Sequence, residues 1–138
     1  MKSELVLLFL ILVAGFTSVG QGYGYDPDVE EKGLIKVSVM YPDGEGKHFD
    51  MDYYKTKHMP MVAGFLGSNL VKYTIEKGLA SSMPNQPLPY VAIGTFYVKN
   101  IAEYHEAIAP NREAIRADIL NYTNIAPVIF ISELVEAE

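Results

Sequence analysis

The stretch IKVSVMYPDGEGKHFDMDYYKTKHMPMVAGFLG, residues 35–67, changes its periodicity midway, and that change decides the fold. In its first part Ile35, Val37, Val39 and Tyr41 alternate with Lys36, Ser38 and Met40, the pattern of a strand with two unlike faces. Pro42-Asp43-Gly44 closes that strand with turn chemistry. The period then becomes helical. Met51, Tyr54, His58, Met61, Val62 and Phe65 recur at three- and four-residue spacing and form one face. Asp50 suits the N-cap, Asp52 suits the positive end of the helix dipole, and Gly67 ends the element. Pro60 deletes one helical hydrogen bond and pushes Met59 off helical values, so a break beside His58 is expected.

Outward from this unit the alternation returns. In NLVKYTIEKGLA, Val71, Tyr73 and Ile75 oppose Lys72, Thr74 and Glu76, which predicts a second strand. SSMPNQPLP is a loop by composition, and YVAIGTFYV, apolar on both faces, reads as a central strand. Asn100 caps a second helix with Ile101, Tyr104, His105 and Ile108 on one side; Pro110 interrupts it and NREAIRADIL resumes it. APVIFISELVE is the last strand. The order β-α-β-β-α-β predicts an α+β, ferredoxin-like fold: a four-stranded antiparallel sheet with two helices on one face. The other face carries apolar side chains that need a cover, and a second copy of the sheet is the simplest one, so a homodimer is expected.

Composition narrows the function. The net charge of -6 and the lack of a basic run argue against nucleic acid and anionic membrane surfaces as partners. With no cysteine, thiol nucleophiles, disulfides and iron–sulfur clusters are excluded. Residues 1–20 have a signal-peptide layout: Lys2, an apolar run over 5–16, then Ser18-Val19-Gly20. The run is shorter than the ~20 residues that span a bilayer. This predicts export to the periplasm or the extracellular space, with no stable membrane span after cleavage, or a membrane anchor if the signal is retained. Residues 21–33 read as a flexible lead-in, and 34–136 as the folded domain.

The segments IKVSVMYP, FDMDYYKTKHMPMV, EKGLA, PYVAIGTFYV and ADILNYTNIAPVIFISELVE together resemble the EthD family, named for ethyl tert-butyl ether degradation. The resemblance runs from about Leu34 to about Val135. It implies a dimeric α/β barrel, in which two ferredoxin-like protomers pair their sheets, and a pocket between the sheet and helices of one protomer. The wider superfamily includes cofactor-independent monooxygenases, polyketide cyclases, haem-degrading enzymes and lactone isomerases. The family is loosely classed with oxidoreductases of degradation pathways. The signal-like N-terminus departs from its cytoplasmic members.

Among candidate residues His58 stands first, one turn after Tyr54 and on the same helix face. It reads as a general base or acid near neutral pH; the plain alternative is a core histidine bonded to a carbonyl or a tyrosine. Tyr54 reads as a pocket phenol that donates to an oxyanion, or as packing, and Tyr53 as packing. Asn121 and Asn124 read as turn residues, with Tyr122 and Thr123 at a pocket mouth as the alternative. His48 and His105 read as inert, and the three histidines lack metal-site spacing. The expected pocket is lined by Tyr54, His58, Met61, Phe65, Tyr97, Tyr122 and Phe130, with no metal. No cofactor motif is present, while a haem on one axial histidine leaves little sequence trace and stays open. Two functions follow. One is an enzyme acting on a small apolar or aromatic oxygenated compound, with His58 as proton shuttle. The other is an exported hydrophobic-ligand or haem-binding accessory protein without turnover.

Overall fold

A computed structural model describes residues 30–137 of the chain; the signal segment 1–20 and most of the lead-in lie outside the described residues. Four strands form one antiparallel sheet in the order β2-β3-β1-β4: β1 is Ile35–Pro42, β2 Leu70–Lys77, β3 Tyr90–Val98 and β4 Val128–Glu133. The first helical segment joins α1, Met51–Tyr53, through a π-turn to α2, Met59–Leu66. The second joins α3, Ile101–Ile108, through a 3-10 turn at Ala109–Asn111 to α4, Arg112–Ile119. This is the α+β, ferredoxin-like arrangement that the periodicity predicts. No helix of the described residues is long and apolar enough to cross a membrane.

The caps follow from the sequence. Asp50 accepts from the Tyr53 N–H at 3.0 Å, and Asn100 from the Glu103 N–H at 3.0 Å. Gly67, at φ 53°, ends α2 in a conformation that disfavours other residues. Pro110 breaks the second segment into its 3-10 turn as expected.

Pro60 acts differently from expectation. Met59 keeps helical angles (φ -62°, ψ -43°), and the helix does not break. It widens instead into the π-turn Tyr54–His58, where the Met59 N–H bonds to the Tyr54 carbonyl five residues back. The extra residue rotates the buried face. Tyr54, His58, Met59, Val62, Ala63 and Leu66 point into the core, and the expected inward residues Met61 and Phe65 are only partly buried.

The helices cover one sheet face. Val37, Tyr41, Ala92, Phe96 and Val98 are buried there with Tyr54, Met59 and Val62. Strand parity puts Lys36, Ser38, Thr74, Thr95, Tyr97 and Phe130 on the other face. That face is mixed rather than apolar. Ser38 and Thr95 share a hydrogen bond of 3.3 Å, and the amines of Lys36 and Lys72 lie 5.4 and 4.8 Å from the centre of the Tyr97 ring. β4 is an edge strand, with Val128, Ile129, Phe130 and Ile131 all exposed.

Candidate functional site: a histidine–aspartate pair beside an apolar cavity

The π-turn buries both Tyr54 and His58, and Tyr54 lies over β3. Tyr54 reaches the sheet because β3 has a glycine beneath it: a Cβ at Gly94 would overlap the Tyr54 hydroxyl. The Tyr54 ring stacks on the His58 imidazole, with centroids 5.6 Å apart at 17°. Tyr122 packs against both rings, its centroid 4.7 Å from that of His58 and 5.1 Å from that of Tyr54. Tyr41 and Phe49 close the aromatic cluster, and the Tyr41 and Tyr122 hydroxyls bond at 2.7 Å. Burial pushes the pKa values of Tyr41, Tyr54 and Tyr122 upward, so all three stay neutral phenols.

His58 is only 5% exposed. Its Nδ1 lies 2.7 Å from Asp118 Oδ2 on α4. Asp118 Oδ1 accepts from the Tyr53 hydroxyl at 2.7 Å and from Asn121 Nδ2 at 3.2 Å. Burial alone would raise the Asp118 pKa, but the donors Tyr53, His58 and Asn121 outweigh it and hold the carboxyl below its ordinary value. The carboxylate is therefore ionised near neutrality and can only accept. His58 Nδ1 must carry the proton, which leaves Nε2 with the lone pair in the neutral ring. Burial also pushes the His58 pKa below its ordinary value, and this outweighs the opposing bond and charge of Asp118. Among the described residues Nε2 has no hydrogen-bond partner. The site thus holds a neutral imidazole in a fixed tautomer with one basic nitrogen free, the arrangement a general base needs.

A cavity of about 310 Å³ opens beside this pair, between the sheet and the helices. Its walls are Val39, Phe96 and Ile129 of the sheet, Val62 of α2, Tyr104 and Ile108 of α3, Ile115 and Ile119 of α4, and Pro127; Arg112 and Arg116 complete it. Val62 is one turn beyond His58 on the same helix face, while Ile115 and Ile119 flank Asp118 on α4, so the helices that carry the pair also build the cavity.

Of the residues singled out from sequence, the structure brings together His58, Tyr54 and Tyr122. Tyr122 is buried in the aromatic cluster, not at a mouth. None of the expected lining residues Tyr54, His58, Met61, Phe65, Tyr97, Tyr122 and Phe130 lines this cavity: Tyr54, His58 and Tyr122 pack in the aromatic cluster next to it, and Tyr97 and Phe130 stand on the opposite sheet face. Thr123 and Asn124 serve the turn. The Thr123 hydroxyl donates to the His48 carbonyl at 2.6 Å, and Asn124 accepts from the His48 N–H at 3.0 Å, clamping the segment before α1. His48 and His105 are exposed. Sequence reading missed Asp118 and treated Tyr53 as packing alone. A signal for Asp118 exists: it falls between Ile115, Ile119 and Tyr122 at helical spacing, so the acid shares an apolar stripe.

The α+β, ferredoxin-like architecture with its helix-covered cavity defines the class. The family model of the EthD domain matches residues 43–125, more than half of the chain. The crystal structure of an EthD-like protein from Ralstonia eutropha JMP134 superposes with a TM-score of 0.72 at 46% identity, covering 78% of this chain and 96% of that one. The protein therefore belongs to the EthD family. An ethyl tert-butyl ether degradation (EthD) family protein from Bacillus halodurans C-125 shares the fold alone, with a TM-score of 0.55 at 15% identity over 72% of this chain and 97% of that one. Among curated proteins none matches.

Proposed function

We propose that this EthD protein is an enzyme that moves a proton on a small apolar or aromatic oxygenated compound held in the cavity, in a degradation or tailoring pathway. The observation that carries the reading is the 2.7 Å His58–Asp118 pair, which leaves a neutral imidazole one helical turn from an apolar cavity. Nε2 takes a proton from an acidic O–H or C–H of the substrate. The Asp118 carboxylate then stabilises the imidazolium, and the proton returns to the product. Deprotonation turns a phenol or enol into an electron-rich anion, the reactive form in cofactor-free oxidation and cyclisation. Tyr54, stacked on the ring with its hydroxyl packed over Gly94, acts here as a positioning residue. In the same reading residues 1–20 direct export, and two copies pair their open sheet faces as a homodimer.

The test is incubation of purified protein with a panel of phenols and enolisable diketones, read by mass spectrometry, beside His58→Ala. Conversion by the wild type that falls about 10²-fold or more in the variant supports the proton shuttle. Equal conversion by the two ends it. A co-purifying ligand with no product from any panel member favours the accessory-protein reading instead.

A further inference from the structure

The chain has two arginines in 138 residues, Arg112 and Arg116, and both line the one cavity described above. They lie one turn apart on α4, so both guanidinium groups reach the same edge of an otherwise apolar hollow. Both are exposed, which puts them at the mouth. Among the described residues no carboxylate lies within ion-pair distance of Arg112. The partner of Arg116 is Glu113, at 3.6 Å, and both side chains are mostly in water, so that pair is weak and easily exchanged. Burial raises the Tyr104 phenol pKa overall, and the nearby charge of Arg112 opposes part of that rise. In a chain of net charge -6, an unpaired planar donor fork at the mouth of an apolar hollow is a feature that general solubility does not require.

We propose that the cavity takes a small amphipathic acid: an apolar body inside, against Val39, Val62, Phe96 and Ile115, and a carboxylate at the mouth on Arg112, with Arg116 beside it. The volume of about 310 Å³ is roughly ten water volumes, which suits a body of about ten non-hydrogen atoms. Arginine, unlike lysine, offers the two parallel N–H donors that match a carboxylate. The inference rests on reading this cavity as the ligand site and adds the chemical class of what enters it.

Calorimetric titration of the full chain with octanoate and with octanamide tests it. The two probes have the same body and differ in charge. The expected result is octanoate binding at least tenfold tighter than octanamide, with a preference that shrinks as salt is raised. Arg112→Gln should remove the preference while octanamide still binds, and Arg112→Lys should restore only part of it. Equal affinity for the two probes, no binding of octanoate, or a preference unchanged in Arg112→Gln overturns the inference. The readout is binding, not turnover. Loss of the acid preference would leave the His58 chemistry standing, and an inert His58 would leave the acid preference standing.

Discussion

The space between the sheet and its helices has two unlike ends. At one end Tyr41, Phe49, Tyr54, His58 and Tyr122 fill it ring against ring, and the polar atoms of Tyr53, His58 and Asn121 converge on Asp118. At the other end mainly aliphatic side chains, with Phe96 and Tyr104, surround a hollow of about 310 Å³ edged by two arginines. The same helices build both. One difference is a glycine: Gly94 lets a tyrosine close on the sheet at the filled end, whereas Val39, Val62, Ile108, Ile115 and Ile119 edge the hollow at the other. The filled end fixes an imidazole in one tautomer, and the hollow end is the place where the proposed substrate would sit.

The largest expected effect comes from breaking the filled end. Tyr122→Ala removes a fully buried ring that touches Tyr41, Phe49, Tyr54 and His58, and should cost about 3–5 kcal/mol in a urea melt. Next comes Gly94→Ala, whose methyl overlaps the Tyr54 hydroxyl; the expected loss is about 1–3 kcal/mol. Tyr54→Phe removes that hydroxyl and should recover part of the loss, so the double variant is less unstable than the sum of the two single ones. At the hollow end the cost should be smaller. Ile115→Ala deletes a partly buried side chain beside existing empty space and should cost under about 2 kcal/mol, below the usual range for a packed site. If Ile115→Ala cost as much as Tyr122→Ala, the hollow would not be a feature of the folded protein.

The gentlest probe is acid. Both His58 and Asp118 have pKa values lowered by folding. Each then binds protons more readily in the unfolded chain, so stability falls as the pH falls. The His58 contribution is complete above its unfolded value of about 6.5 and declines below it; that of Asp118 is complete above about 3.9 and declines below that. Melting temperatures should therefore hold from pH 8 to about 6.5 and drop in two stages below. His58→Gln should flatten the first stage and leave the second.

Much of this was legible in the sequence. The switch from alternation to helical spacing gave the element order, and Asp50 and Asn100 marked both helix starts. His58 and Tyr54 stood out as neighbours on one face, and the structure stacks them. Asp118 did not, because its partner lies 60 residues away and only the closing of α4 onto the π-turn brings them together. Met61 and Phe65 misled because the helix ahead of Pro60 holds a π-turn instead of a break, and the extra residue rotates its face. Tyr97 and Phe130 misled because a strand apolar on both faces does not say which face is covered; their register with Lys36 and Ser38 places them on the open one.

The central claim is that Asp118 holds His58 as a neutral base with Nε2 free. Titration of the His58 ring nitrogens by ¹⁵N NMR, in the wild type and in Asp118→Asn, tests it most directly. The expected result is protonation of Nδ1 in the neutral ring, a midpoint below 6.5, and a midpoint lower still in Asp118→Asn, where the charge that favours the imidazolium is gone. A wild-type midpoint at or above 6.5, or a neutral ring that carries its proton on Nε2, would contradict it.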